Sequence, residues 1–286
     1  MLFKRELKIR NLIFASLIAF LPTMMLTFII IGASITLNVD NIEIEVQLSV
    51  MSYTLITLGI LIYLGKISKG KIKELKQDFK NKIDLKEIIG RVVNAQVIQI
   101  GTISLFIGVA LLIVNESILN ELLENITTTE DMVYDGSVIL NAISIILIAP
   151  IYEEIAYREI LFKRLSKKIN VKWGIIISSI IFGIGHTSAS IVFAIFFGIV
   201  CCLLYLKYDN ILIPMFLHFV NNAFGVLTTI TPSSDVNEEA FLLVKSDAFM
   251  FLTLGVIVSG IGFYFLVRFI KRTNSIIKSN KVSIEI

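Results

Sequence analysis

Residues 138–162 read VILNAISIILIAPIYEEIAYREILF, an apolar run that ends in a cluster of charge, Glu153, Glu154, Arg158 and Glu159. About 20 apolar residues at 1.5 Å per residue cross the ~30 Å hydrocarbon layer of a bilayer, so the run has the length of a transmembrane helix. A charge at the centre of such a helix costs about 2.5–3.5 kcal/mol on insertion scales. Either the helix ends early and the cluster lies in the membrane interface, or the charges are buried among partners inside the protein. The rest of the chain bears on that choice.

Outward from this stretch, further apolar runs lie near residues 12–37, 47–65, 93–114, 173–187, 190–206, 211–230 and 247–270, which makes eight spans. The 286 residues are 56% hydrophobic and only 17% charged, with a mean hydropathy of +0.84. Soluble domains carry about 25% charged residues, so this is the composition of an integral membrane protein. The runs are continuous instead of alternating in period two, and a backbone in lipid has to satisfy its own hydrogen bonds, so the expectation is an all-α polytopic transmembrane helical bundle and not a barrel. The first run follows a basic flank (Lys4, Arg5, Lys8, Arg10) like that of a secretory signal. It exceeds the 7–15 residues of a signal core, so it reads as the first span. Cys201 and Cys202, the two cysteines, are adjacent in an apolar run and read as packing residues.

Twenty-four of the 26 Lys and Arg fall at the N-terminus, in 66–91, in 163–172, at Lys207 and in the tail from Arg268. All five segments lie on one side of an eight-span chain, and the opposite loops hold thirteen carboxylates and the single lysine Lys245. The positive-inside tendency then places both termini in the cytoplasm. Topology accounts for the net charge of +3, and no nucleic acid is expected. The charged stretch 69–91 reads as an amphipathic helix lying on anionic lipid or as a solvated linker. The C-terminal VSIEI lacks the cysteine of a prenylation signal.

The two histidines, His186 and His218, both fall in expected spans, and Asn221 and Asn222 share a span with His218. Ionisable groups in spans face a bundle interior or a wet cavity, so the three polar helices are expected to converge. Glu154 and Arg158 are four apart and share a helix face, with Glu153 about 100° away. His218 and Asn222 are also four apart and can aim at one point as donors to a developing oxyanion, with Asn221 a less favoured choice. Gly183 and Gly185 leave room beside His186 for a backbone or a substrate, and Pro150 and Pro214 precede the polar clusters. Measured from the basic ends of their spans, Glu153 lies about 14 Å deep, His218 about 10 Å and His186 about 20 Å, which tilt and kinks have to reconcile.

The pattern Glu153-Glu154-x-x-x-Arg158, Phe182-x-x-x-His186 and His218-x-x-x-Asn222 resembles, in order and spacing, the three motifs of the CPBP family. These are intramembrane glutamic endopeptidases that include type II CAAX prenyl proteases and bacterial Abi proteins. The resemblance covers about residues 137–230. It implies a metal-independent protease in which Glu153 and His186 activate water, His218 and Asn222 stabilise the oxyanion, Glu154 and Arg158 hold the site, and Phe182 packs it. It also implies no cofactor and substrates among peptide precursors, bacteriocin leaders or membrane proteins, with bacteriocin self-immunity one setting.

Other readings compete. Glu and two His are possible zinc ligands, but the chain has no H-E-x-x-H. Ser188 and Ser190 lie near His186 without forming a triad with a distinct carboxylate. A transporter lacks paired interrupted spans. A non-proteolytic membrane scaffold or regulator of the same family is the main alternative, and the complete motif set favours the enzyme. The expected division is an N-terminal membrane region, 1–136, with three spans and the basic segment 66–91; a catalytic core, 137–230; and an outer loop, last span and basic tail, 231–286. The expected partners are a peptide or membrane-protein substrate, the lipid bilayer and other membrane proteins. A multi-pass protein of the bacterial cytoplasmic membrane is the expected setting, on the Ile- and Lys-rich chain and the family's spread.

Overall fold

In lipid every backbone N–H and C=O has to find its partner within the protein, and the apolar runs solve this as helices. The computed structural model describes residues 2–37, 42–114, 136–186, 190–230 and 244–279. Helices α1 (Ile9–Leu37) and α2 (Ile42–Gly65) pair along their length, α3 (Lys69–Lys82) is short, and α4 (Leu85–Ile113) is long. Next come α5 (136–168), α6 (Val171–Ile184), α7 (Ile191–Tyr208), α8 (Leu212–Ile230) and α9 (Ala248–Ser279), the last preceded by a 3₁₀ turn. Among the described residues there is no β-strand, and one isolated bridge joins Phe3 to Ile67.

Among the described residues six helices are long and apolar enough to cross a membrane: α1, α2, α4, α5, α7 and α9. The other two expected spans are apolar but shorter, α6 and 212–228 of α8. Helix α7 is the hub, with half of its most apolar stretch buried against 11% for α1. Its Phe197, Cys201 and Leu204 pack against α4, α6, α8 and α9, while large apolar side chains of α1 such as Leu17, Met25 and Phe28 point outward. Both cysteines are free and buried, and Cys202 Sγ sits 3.6 Å from Ser178 Oγ, which fits their reading as packing residues.

Two sequence boundaries change. The stretch 69–91 is not one helix. Ile83 is extended and Asp84 caps α4 by accepting the Glu87 N–H at 3.1 Å, so the chain turns there and Arg91 belongs to α4. The apolar side of α3 packs within the protein: Leu75 is buried, Phe79 meets Phe216 edge-on, and Asn210 Nδ2 donates to the Leu75 carbonyl at 2.8 Å. Helix α6 ends at Ile184, and His186 follows it in a turn whose N–H bonds to the Gly183 carbonyl, so it lies outside the helix the sequence assigned to it.

Residues 2–7 form a strap the sequence did not announce. Lys4 and Arg5 N–H groups donate to the Lys66 and Gly65 carbonyls, and the Phe3 ring lies against Gly65, where a Cβ would stand 2.3 Å from it. Arg164 of α5 donates to the Leu7 carbonyl, and the Leu2 N–H bonds to Glu159 at 2.8 Å. Glu159 also takes Lys163 and the Tyr205 hydroxyl. Glu6 pairs with Lys167 at 2.6 Å and Arg164 at 3.3 Å. The Lys167 hydrogen bond and the Arg164 charge hold the Glu6 carboxyl below its usual range, against a smaller opposing effect of burial. These contacts and the Lys207–Glu87 pair gather the basic segments at one end of the bundle.

Candidate active site

Helix α5 departs from α-geometry before its charge cluster and again through it, with π-turns at Ser144–Ile148 and Glu154–Phe162. Such turns are uncommon and concentrate at functional sites. Pro150 accounts for one consequence. The Ala149 N–H bonds to the Ser144 carbonyl, five residues back, and the next residue, Pro150, has no N–H to offer Ile145. Asn222 of α8 fills the gap, donating Nδ2 to the Ile145 carbonyl at 2.9 Å. A backbone group freed in one helix thereby ties it to another, as intramembrane prolines permit.

The same register buries the charge. Glu154 and Arg158 are inaccessible and form an ion pair at 3.1 Å, so the cluster is not an interfacial helix end. The Arg158 guanidinium stands 4.4 Å over the Phe182 ring. His218 Nδ1 lies 3.0 Å from Glu154 Oε1, and its Nε2 lies 3.6 Å from Glu153 Oε2. A carboxylate only accepts, so Nδ1 carries hydrogen, and Nε2 is a donor only in the doubly protonated ring. Glu153 keeps 23% of its side chain exposed, the single member of this carboxylate pair open to the outside.

His186 joins through aromatic packing. The Phe182 ring contacts His186 at 4.6 Å and His218 at 6.0 Å between centroids, and Tyr157 meets its edge at 5.1 Å. His186 Nδ1 lies 2.9 Å from the Phe182 carbonyl, which can only accept, so Nδ1–H is the donor and Nε2 presents its lone pair. Among the described residues no hydrogen bond links His186 to Glu153. Gly183 serves helix packing: a Cβ there would stand 2.3 Å from Ile195 and 3.0 Å from the Ile191 carbonyl of α7. At Gly185 a Cβ would meet only ordinary or slightly tight contacts. Ser188 lies outside the described residues.

One contributor comes from the region where the sequence offered no motif. Gln96 of α4 donates Nε2 to Asn221 Oδ1 at 2.9 Å, and Asn221 Nδ2 reaches Asn222 Oδ1 at 3.4 Å. The Asn222 amide is therefore held at its oxygen by Asn221 and at one N–H by Ile145, which leaves one N–H free.

Residues 135–224, which hold all of these groups except Gln96, match the family described as Type II CAAX prenyl endopeptidase Rce1-like. The match falls on the segment whose three motifs resemble those of the CPBP family. A protein of Bacillus subtilis (strain 168) named "Putative membrane peptidase YdiL" is 33% identical over 94 residues, 32% of this chain and 38% of that relative. No solved structure matches the chain. The matched segment thus runs from the start of α5 into α8, and the chain outside it supplies Gln96 and the strap under α5.

Proposed function

We propose that the protein is a membrane endopeptidase that hydrolyses peptide bonds with a water activated by Glu153 and His186. The observation that carries this reading is the convergence of Glu153, Glu154, Arg158, His186 and His218 around the Phe182 ring, inside the segment that matches a peptidase family. Glu153 is the open carboxylate and takes a proton from the water, assisted by the Nε2 lone pair of His186. The hydroxide attacks the scissile carbonyl. His218 Nε2, in its imidazolium form, and the free Asn222 N–H donate to the developing oxyanion, and the proton passes from Glu153 to the leaving amine. Glu154 and Arg158 orient His218 and meet no substrate. No metal takes part in this scheme, and a strong chelator should leave the rate unchanged. Among the described residues no three His, Cys, Asp or Glu are grouped as ligands.

In this reading the basic end of the bundle faces the cytoplasm of a bacterial cell. The substrates are peptides or membrane proteins that reach the site from the bilayer, and bacteriocin processing or self-protection is the setting. The test compares membrane and secreted peptides from cells carrying the wild-type chain, a deletion, or Glu153→Ala at equal level. The expected result is that Glu153→Ala matches the deletion, and the uncleaved peptides then identify the substrate. If Glu153→Ala matches wild type, hydrolysis is not the function and the protein acts as a membrane scaffold or regulator.

A further inference from the structure

The end of the bundle that gathers the basic segments holds a cavity of about 380 Å³, between the start of α4, the end of α7 and the later part of α9. Five cations face it, Lys86, Arg91, Lys207, Arg268 and Arg272, against the two carboxylates Asp84 and Glu87. Both carboxylates have partners already. Asp84 caps α4, and Glu87 takes Lys207 Nζ at 2.7 Å on each oxygen as well as the Tyr208 hydroxyl.

Arg91 is in a different position. Its guanidinium is set 4.5 Å over the Phe269 ring, yet its Nε and Nη1 are buried with no hydrogen-bond partner. Two buried donors left unmade are costly, which calls for an acceptor at this place. A planar fork of N–H groups matches the oxygens of a phosphate, and the exposed Arg268 and Arg272 stand beside it with no ion-paired carboxylate among the described residues.

The third feature is apolar. Phe265 lines the cavity and is itself 45% exposed on a span, next to the exposed Tyr264. A small anion has no use for such a wall, whereas an acyl chain does. Basic pockets between membrane helices at the interface are sites for acidic headgroups.

We propose that this cavity binds the phosphate of an anionic phospholipid headgroup, with Arg91, Arg268 and Arg272 as its donors and the acyl chains along the Phe265 side of α9. The assignment does not depend on the peptidase reading. Free inorganic phosphate shares the headgroup's chemistry and is the alternative source that the experiment separates.

The test is native mass spectrometry of the full chain in mild detergent. The probes are phosphatidylglycerol, phosphatidylcholine of the same chains, and inorganic phosphate. Phosphatidylglycerol should be retained in preference to phosphatidylcholine, with a loss of about five-fold for each arginine removed. Arg91→Gln/Arg272→Gln should bring it to the phosphatidylcholine level. Arg268→Gln/Arg272→Gln removes only exposed side chains, and it should lose most of the preference with the fold untouched. Lys73→Gln/Lys80→Gln, which removes equal charge from α3, should retain it. Equal retention of the two lipids, or equal loss in the α3 pair, overturns the proposal. Displacement of phosphatidylglycerol by millimolar inorganic phosphate overturns the lipid assignment, and failure to displace supports it.

Discussion

Helices α4 and α9 are held together in a different way from helices α5 to α8. Between α4 and α9 the backbones touch. A Cβ at Gly101 would stand 2.4 Å from the Ser259 nitrogen, and one at Gly255 would stand 2.7 Å from the Leu105 nitrogen, with Gly108 and Gly262 similarly crowded. Small residues allow this approach, and dispersion then does the holding. Within α5 to α8 the ties are polar: Glu154 to Arg158 and His218, and Asn222 to the Ile145 carbonyl. Along the first contact the buried Asn94 is satisfied by the Gly262 carbonyl, and the unpartnered Arg91 nitrogens lie at its basic end. The second leaves Glu154 Oε2 and the Arg158 nitrogens without hydrogen bonds and bends a helix into π-turns. Stability is obtained most simply by close packing, so buried charge and an irregular backbone mark the part of the bundle kept for chemistry.

The largest effects should fall on activity and spare the fold. Glu153→Ala and His186→Ala should abolish peptide hydrolysis by the purified protein while membrane insertion and thermal unfolding stay close to wild type. Both side chains are partly exposed, and neither belongs to the buried Glu154–Arg158 pair. Cleavage that persists in either variant sinks the assigned roles. Arg158→Ala should instead cost stability, by about 3–5 kcal/mol, because it leaves Glu154 charged and buried. Pairing it with Glu154→Gln should recover much of that loss in the same unfolding measurement but none of the activity. If the double variant unfolds as early as the single one, the ion pair is not what the helix depends on.

Asn222→Ala tests the boundary between the two roles. Loss of an oxyanion donor lowers turnover by about 10²- to 10³-fold. The substitution also frees the Ile145 carbonyl, so the comparison to make is with Gln96→Ala, which loosens Asn221 and leaves Asn222 in place. Turnover in Gln96→Ala should fall by much less, about the scale of one neutral hydrogen bond. Equal losses in the two variants would assign Asn222 to helix pairing alone.

This division explains what the sequence could disclose. The helical bundle and the i, i+4 pairing of Glu154 with Arg158 follow from composition and helical period; among the described residues six of the eight apolar runs are helices long enough to cross a membrane, two are shorter apolar helices, and the ion pair is formed. Gln96 was not legible, because its partner lies 125 positions away and a lone glutamine in a span carries no period. The π-turns were not legible either, since Pro150 signals a loosened helix without saying which group takes up the freed carbonyl. Two signals were present and unread. Asp84 followed by Glu87 is a helix start in the middle of 69–91, and glycines seven apart in α4 (Gly101, Gly108) and α9 (Gly255, Gly262) mark faces that pack closely.

The glycine face gives the converse test. Gly101→Leu should destabilise by about 1–3 kcal/mol through overpacking, measured as an earlier thermal transition in detergent. At a temperature where the variant is folded, its turnover should stay near wild type, since Gly101 touches α9 and no group of the site. A variant that unfolds normally but cleaves slowly would show that the close-packed pair sets the site's geometry.

The smallest effect concerns the strap under α5, and its sign follows from Glu6. Its carboxyl is held below the ordinary 4.5 by Lys167 and Arg164, so the folded form prefers the charged group. A carboxylate depressed in this way adds stability that is complete above its unfolded value and is lost as the pH falls through its folded one. The strap should therefore stay docked from neutral pH down to about 5 and loosen below 4.5. Hydrogen exchange at Lys4 and Arg5, whose amides bond to Lys66 and Gly65, reports it directly. In Glu6→Gln these amides should exchange faster at neutral pH and show no further acid step. An acid step that survives in Glu6→Gln would show that the Glu6 pairs with Lys167 and Arg164 do not hold the strap.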